Sequence, residues 1–257
     1  MLAKRLTEIV AILESEGMVS VSNLAKRCNV TEKTIRLDLN MLAEMNIVNK
    51  VHGGAVLANT KSEIYPVASR KQTHVTEKCQ IAVAALDLIQ DGDTVFLDAG
   101  TTVLELARRL DKNVIVITND ALVAAELVDH KNVTLYCTGG QLQRGNGSYI
   151  YVGPDAMNSI SKYRTRKCFV GCSALNFNYG LMVFSGIEAE IKKEITRNTE
   201  EIICLADSSK FDRTAFSSYL SLDKVDICIT DGHVTQEQKE AFQTHKVELV
   251  VAGTEAQ

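Results

Sequence analysis

The first sixty residues carry apolar positions at helical spacing in three blocks. In the first block leucine, isoleucine and valine recur every three or four residues until Gly17, which predicts a helix over residues 2–15. Ser20 precedes a shorter block that ends near residue 30, and Thr31 is a good N-cap for a third helix of about fifteen residues. A short helix, a tight turn and a longer helix are the proportions of a helix-turn-helix.

The third helix has two different sides. Ile35, Leu39 and Leu42 form an apolar stripe, whereas the opposite side carries polar and charged residues near the start of the helix. Residues in that place contact base edges and phosphates when such a helix enters the major groove of DNA. The candidates are Thr31, Glu32, Lys33, Thr34 and Arg36, together with Ser20 before the second helix. The periodicity is equally typical of a three-helix bundle whose charges are only solvated, so both interpretations stay open here.

Two short apolar segments follow, around a glycine pair. They predict a β-hairpin wing, with Lys50, His52 and Gly53 near its tip as candidate DNA contacts. The next segment is polar and aperiodic and contains Pro66, as expected of a linker. The predicted organisation is a winged helix-turn-helix over residues 1–58, a linker over 59–75 and a larger domain over 76–257.

The larger domain alternates amphipathic helices with short, fully apolar strands. Helices are predicted over about 77–90, after 102 and from about 120, and the strands include TVFLD, NVIVIT, VTLYCT, CFVGCSA, EIICLAD, VDICIT and VELVVA. Strands that are apolar on both faces are typical of a sheet covered on both sides by helices. The fold class is therefore α/β, with a Rossmann-like, largely parallel sheet in the second domain.

Polar loops follow several of these strands, at the sheet edge where ligands collect in such folds. Asp98, Gly100, Thr101 and Thr102 lie between a strand and a helix, where backbone N–H groups, hydroxyls and the positive helix end converge on an anion. A phosphate fits there, and we expect neither a metal nor a cofactor. Other loops contribute Asn119, Gly139, Asp207 and Lys210. Each loop alone is explained by turning and capping, and only their convergence favours a ligand site.

Composition and charge narrow the class of protein. Residues 1–58 hold seven Lys/Arg and six Asp/Glu, a net charge of +1, against −5 for the rest, which permits a DNA-binding head on an acidic body. The seven cysteines include no C-x-x-C pair and mostly lie in apolar runs, as expected of reduced thiols. Since no run approaches the roughly 20 apolar residues of a membrane span, we expect a cytoplasmic protein without membrane contact.

The N-terminal motif closely resembles that of DeoR-family repressors. The match covers Thr31, Thr34, Ile35, Arg36, Asp38, Leu39, His52, Gly53, Gly54 and Ala55. Three positions depart from the family pattern. Leu37 replaces its second Arg, Lys50 stands for its wing Arg, and Asn46 occupies the position of its helix-ending Gly. Leu37 matters most, because leucine cannot make the bidentate hydrogen bonds of arginine.

The larger domain resembles the effector domain of DeoR-type regulators. The segments DAGTT, ITND, TGGQL, FVGCSAL, EAEIKKEI, LADSSKF and DICITD match in order and spacing. That domain is similar to ribose-5-phosphate isomerase and CoA transferases and binds phosphorylated sugars. The resemblance implies that Gly100, Thr101 and Thr102 hold the phosphate, and Arg144 is a further candidate. It places around the sugar Asp98, Asn119, Glu188, Lys192, Asp207 and Lys210.

Three functions compete. A sugar-phosphate isomerase would use Asp98, Glu188, Asp207 and Lys210 for proton transfer, and an interaction protein would need no small ligand. The DNA-binding head favours a third function, a transcription regulator without enzymatic activity, most simply a repressor of carbohydrate catabolism genes. We expect a homo-oligomer, dimer or tetramer, whose affinity for double-stranded operator DNA is altered by a phosphorylated sugar.

Overall fold

The chain forms two compact units, Met1–Tyr65 and Pro66–Gln257. The computed structural model describes residues 2–16, 18–44, 47–51, 53–57, 67–145 and 148–253. Each unit has its own apolar core. No helix in these ranges is long and apolar enough to cross a membrane.

The first unit is a winged helix-turn-helix, as predicted. Its elements are α1 (Leu2–Glu16), β1 (Met18–Ser20), α2 (Val21–Arg27), α3 (Glu32–Glu44), β2 (Val48–Val51) and β3 (Gly54–Leu57). The core is formed by the predicted apolar stripes, with Ile9, Leu13, Leu24 and Ile35 all fully buried.

The wing is a three-stranded antiparallel sheet in the order β1-β3-β2. Strand β1 was not predicted, because three residues are too few to show an alternating pattern. Gly54 allows β3 to pair with it, since a Cβ atom at Gly54 would lie 2.4 Å from the carbonyl oxygen of Val19. Gly53, at φ +78°, makes the turn before β3.

The second unit is the predicted α/β domain. Its first half contains α4 (Val67–Gln72), α5 (Val75–Leu86), β4 (Thr94–Leu97), α6 (Thr101–Arg109), β5 (Val114–Thr118), α7 (Ala121–Leu127), β6 (Val133–Cys137), β7 (Gln141–Gly145), β8 (Ser148–Val152) and α8 (Pro154–Ile160). Its second half contains β9 (Thr165–Gly171), β10 (Ala174–Asn176), β11 (Gly180–Val183), α9 (Gly186–Arg197), β12 (Thr199–Leu205), β13 (Ser217–Leu220), β14 (Ile227–Thr230), α10 (Gln236–Thr244) and β15 (Glu248–Val251).

The main sheet has seven parallel strands in the order β15-β14-β12-β9-β4-β5-β6. Successive residues of β9 pack into different cores, Cys168 and Val170 into one and Phe169 into the other. Both faces are therefore covered, which explains the fully apolar strands. The chain runs from β4 towards β6 on one side and returns to β9 on the other. The strand order thus reverses between β4 and β9, where such sheets form a ligand crevice.

Several elements differ from the sequence expectation. Helix α4 lies inside the interval 59–75 that was predicted to be a linker. The composition of α4 is polar, but hydrogen bonds hold it against α5. The buried Lys78 of α5 donates hydrogen bonds to the carbonyl oxygens of Arg70 and Thr73, the latter at 2.6 Å, at the C-terminal end of α4. The hairpin of β7 and β8 and the small sheet β10-β11-β13 were also not predicted. Their strands are short and lack regular alternation.

Candidate functional site

The helix-turn-helix positions its polar residues through two hydroxyl caps. The Ser20 hydroxyl accepts a hydrogen bond of 3.2 Å from the Asn23 N–H at the start of α2. The Thr31 hydroxyl accepts one of 3.2 Å from the Thr34 N–H at the start of α3. Both hydroxyls fix where a helix begins, so they also orient the residues that follow.

The outer side of α3 is solvent-exposed and carries both charges and one apolar side chain. Glu32, Lys33 and Arg36 are exposed, and Thr34 is half-buried. The Arg36 guanidinium lies 2.7 Å from the Glu32 carboxylate one turn earlier. Leu37, beside Arg36, is 57% exposed. The face offers positive groups for phosphates and an apolar group that forms no hydrogen bonds.

Two interactions of α3 were not predicted from the sequence. Asp38 is almost fully buried and accepts two hydrogen bonds from Arg5 in α1. Asn40 accepts a hydrogen bond of 2.9 Å from Lys50 in the wing strand β2. The helix is thereby tied to α1 on its inner side and to the wing on its outer side. His52, a predicted phosphate contact, lies outside the described residues, as does Asn46.

In the second unit, a buried ion pair between the end of β4 and α9 lies where the strand order reverses. Asp98 follows β4 and is fully buried. Its Oδ2 accepts hydrogen bonds from Lys192 Nζ and from the Gly171 N–H, the latter at 3.2 Å. Lys192 also donates to the Gly171 carbonyl at 3.1 Å and lies 5.4 Å from the centre of the Tyr219 ring. This network holds the ends of β4 and β9 together.

A cleft with about 430 Å³ of empty space, part of it open to solvent, lies beside this ion pair. Its lining residues are Arg70, Ala99, Gly100, Thr101, Leu104, Asp120, Leu122, Ser148, Ser173 and Glu188. Gly100, at φ +147°, directly precedes α6. Because Gly100 and Thr101 line the cleft, the first N–H groups of α6 also lie at the cleft. The cleft therefore combines a guanidinium, a helix N-terminus, hydroxyls and two carboxyl groups.

The two carboxyl groups of the cleft are perturbed by burial. Burial raises the pKa of Glu188, and the charge of Lys192, whose Nζ lies 3.8 Å away, limits that rise. Burial also raises the pKa of Asp120, although Asp120 accepts hydrogen bonds from the N–H groups of Leu122 at 2.6 Å and Val123 at 3.3 Å. Opposite them, burial lowers the pKa of Arg70, while Glu188 and Asp120 favour its charged form.

The predicted effector residues fall into three groups. Gly100, Thr101 and Glu188 line the cleft. Asp98, Asn119 and Lys192 are buried. Asp98 and Asn119 lie next to or near cleft residues in the sequence, and Lys192 contacts Glu188 in the fold. The remaining candidates do not line it; they are Thr102, Gly139, Arg144, Asp207 and Lys210.

The placement of Arg144 differs most clearly from the expectation. Arg144 is exposed on β7 and pairs in register with Tyr149 of β8. The same hairpin brings Ser148 to the cleft instead, and the Tyr151 N–H donates a hydrogen bond of 2.8 Å to the Asn119 carbonyl. The hairpin thus contributes to the site with a residue that the sequence did not single out.

Sequence reasoning missed four polar cleft residues, Arg70, Asp120, Ser148 and Ser173. Asp120 and Ser173 come two residues after strands β5 and β9, so a rule that takes every polar residue in the loop after a strand would have found them. Arg70 carried no such signal, because it lies in a polar segment before the first strand. Only the packing of α4 within the second unit places Arg70 at the cleft.

The two units define a class: a regulator that reads DNA through a helix-turn-helix and carries a separate α/β ligand domain. Comparison with protein families specifies it. Residues 5–61 match the DeoR-like helix-turn-helix domain, and residues 73–232 match the DeoR C terminal sensor domain. The chain belongs to the DeoR family and is a DNA-binding transcription regulator with a C-terminal sensor domain. The resemblance drawn from the motifs is confirmed, and the plain three-helix bundle is not supported.

Relatives agree over almost the whole chain. The uncharacterized HTH-type transcriptional regulator YulB of Bacillus subtilis (strain 168) is 33% identical over 97% of this chain and 96% of its own length. The glycerol-3-phosphate regulon repressor of Escherichia coli (strain K12) is 31% identical over 94% and 95%. Among solved structures, ribose 5-phosphate isomerase A from Methanocaldococcus jannaschii is 18% identical, with a TM-score of 0.39 over 52% of this chain and 53% of that one. This similarity is too distant to assign an activity.

Proposed function

We propose that this regulator represses carbohydrate catabolism genes, and that a phosphorylated sugar bound in the cleft between β4 and β9 changes its affinity for operator DNA. Repression is supported by the related glycerol-3-phosphate regulon repressor. The effector class is supported chiefly by one observation. Arg70 and the N-terminus of α6 line the same cleft as two carboxyl groups.

The cationic part of the cleft suits a phosphate group. Arg70 supplies a guanidinium, which binds phosphate oxygens in pairs. Gly100 has no side chain, so a phosphate can approach its backbone closely. Thr101 adds a hydroxyl, and the nine-residue helix α6 presents its positive N-terminal end at the same place. We expect the phosphate to lie between these groups.

The acidic part suits the hydroxyl groups of a sugar. Glu188 and Asp120 line the cleft, as do Ser148 and Ser173, which carry hydroxyls. In the described part of the chain, the buried Asp98 Oδ1 and Asn119 Oδ1 accept no hydrogen bond. Leaving such an oxygen unpaired costs about 1–3 kcal/mol, so ligand hydroxyls that reach them would bind favourably.

The response to the effector requires a connection to the DNA-binding unit. Helix α4 is the first element after the boundary at Tyr65 and Pro66, and it carries Arg70 into the cleft. A phosphate bound to Arg70 would hold this helix in one position. We propose that homo-oligomers with two-fold symmetry bind paired operator half-sites. Holding α4 in one position would then change how well the paired DNA-binding units match the half-site spacing.

The proposal assigns no enzymatic turnover to the chain. Its relatives are transcription regulators, and Asp98, one of the carboxylates that an isomerase would need, is engaged by Lys192 and the Gly171 N–H. Incubation of the protein with C5 and C6 sugar phosphates, followed by assay of aldose-ketose exchange, is expected to show no exchange above the uncatalysed reaction. Isomerisation at enzymatic rates would contradict the assignment.

The effector proposal is tested by titration calorimetry with a panel of C3 to C6 sugar phosphates, the same sugars without phosphate, and inorganic phosphate. We expect at least one sugar phosphate to bind and to change the affinity for operator DNA in a shift assay. Loss of one charged bidentate contact corresponds to about 1.5–3 kcal/mol, so Arg70→Ala should weaken that binding roughly 10- to 150-fold.

Arg144→Ala is the matched control, because Arg144 is exposed and does not line the cleft. Its affinity for the effector is expected to equal that of the wild type. Loss of binding in Arg144→Ala but not in Arg70→Ala would move the phosphate site to the β7-β8 hairpin. If no sugar phosphate binds, the effector class itself is wrong.

A further inference from the structure

Leu37 holds an exposed apolar position on the outer side of α3. Its side chain is 57% exposed, whereas Ile35, Leu39 and Leu42 on the same helix are at most 2% exposed. Single exposed leucines are common on protein surfaces, so exposure alone indicates nothing. The position is informative because α3 is the second helix of a helix-turn-helix, which enters the major groove with its N-terminal half.

The neighbours of Leu37 have the chemistry of a DNA contact surface. Lys33 lies one helical turn before it and Arg36 directly precedes it, both exposed. Asn40, one turn later, is bonded to Lys50 of the wing at 2.9 Å. Leu37 is thus an apolar group beside Lys33 and Arg36, whose charges are complementary to phosphates.

The major groove presents one apolar group, the C5-methyl of thymine. We propose that Leu37 contacts a thymine methyl in each operator half-site and so selects a T·A pair at that position. Arginine selects guanine in such places through two hydrogen bonds to O6 and N7, which leucine cannot form. The inference rests on the DNA-binding function of the chain and adds a sequence preference to it.

A second copy of the head is the other occupant to consider for this apolar position. Facing copies would bring Lys33, Arg36 and Lys50 of each close together around Leu37, and like charges repel. One leucine also offers far less than the roughly 800 Å² per partner that stable interfaces bury. The repulsion between like charges and the small apolar area both favour DNA as the occupant of this position.

The test begins with selection of tight-binding duplexes from a random library by the full-length chain. Every thymine of the best duplex is then replaced in turn by deoxyuridine, which removes only the methyl group. For the wild type, one replacement per half-site should weaken binding about 4-fold, which corresponds to one buried methyl group. The other replacements should leave the affinity unchanged to within about 2-fold.

Variants identify the side chain involved. Leu37→Ala should bind the thymine and deoxyuridine duplexes equally at the sensitive position, whereas Leu37→Met should keep a difference, since it retains apolar volume. Leu37→Arg should select guanine there. Val83→Ala, at an aliphatic residue of α5 that is 53% exposed, is the matched control and should behave as the wild type.

The outcomes separate this inference from the underlying function. If no duplex is enriched, DNA binding itself is contradicted. If duplexes bind but the wild type and Leu37→Ala respond alike to every deoxyuridine, Leu37 does not read a methyl group and the inference is overturned. The same holds if Leu37→Ala changes only the sedimentation of the protein, which would assign Leu37 to contact between copies. Circular dichroism of each variant establishes that its fold is retained.

Discussion

Arg5 in α1 holds Asp38 in α3 through two hydrogen bonds, one of 2.6 Å from Nε and one of 3.0 Å from Nη2. Asp38 is 1% exposed and lies between the exposed Leu37 and the buried Leu39. The ion pair therefore fixes the rotation of α3 about its axis, which decides which side chains face the DNA. It also makes the orientation of that helix depend on a residue near the start of the chain.

Replacement of Arg5 should destabilise the first unit. In Arg5→Met the buried Asp38 loses its charged partner, and loss of one member of a buried pair costs about 3–5 kcal/mol, somewhat less here because the Arg5 side chain is 21% exposed. Hydrogen exchange of α3 amides, followed by mass spectrometry on the full chain, should become faster. Lys26→Met, at an exposed residue of α2, should leave exchange unchanged; equal protection in both variants would contradict the role of the pair.

Removal of the Arg36 side chain should weaken operator binding. A lost arginine contact costs about 1–3 kcal/mol, so Arg36→Ala should bind roughly 5- to 150-fold less tightly. If Arg36 also neutralises a phosphate, the slope of log K against log salt should fall by about one. Arg36→Lys keeps the positive charge but loses the bidentate geometry of arginine. Its salt slope should therefore be closer to that of the wild type than its preference for the operator sequence. Wild-type affinity in Arg36→Ala would show that another face of α3 meets the DNA.

The buried pair of Lys192 and Asp98 should behave as one unit. Lys192→Met leaves an unpaired buried carboxylate and should cost about 3–5 kcal/mol of unfolding free energy, measured by urea denaturation of the second unit. In Lys192→Met/Asp98→Asn the uncompensated charge is gone, so the double variant should lose less than the sum of the single ones. Additive losses would mean that the two groups are not coupled.

Lys78 should make stability depend on pH in the alkaline range. Burial lowers the pKa of Lys78 from 10.5 to about 8. Between about pH 8 and 10.5 the unfolded chain then binds more protons than the folded one. This residue therefore makes stability rise with pH in that window, and the gain is lost as pH falls from about 10.5 to about 8. The contribution is at most about 3 kcal/mol.

The measurement compares the free energy of unfolding of the wild type and Lys78→Met from pH 7 to 10. The difference between the two curves should change with pH in the stated direction, whereas groups common to both cancel. Lys71→Met, on the adjacent helix α4, is the control and should run parallel to the wild type. Parallel curves for Lys78→Met would mean that Lys78 titrates normally.

The secondary structure of the main elements followed from local patterns. Apolar spacing predicted α1 to α3 and the seven strands of the parallel sheet, because each pattern reports which residues face a core. The hydroxyl cap at Thr31 was also predicted, since a cap involves residues only three positions apart. Short elements such as β1 and the β7-β8 hairpin were not, because three to five residues carry too little periodicity.

By itself, then, the sequence determined the two-domain organisation, the parallel α/β fold, the family and the loop around Gly100 and Thr101, all of which depend on neighbours along the chain. Only the tertiary structure decided that Arg70 and not Arg144 lines the cleft, that Asp120 and Ser148 join it, and that Arg5 orients α3. These are contacts between residues far apart in sequence, set by how helices and strands pack, and local periodicity contains no information about them.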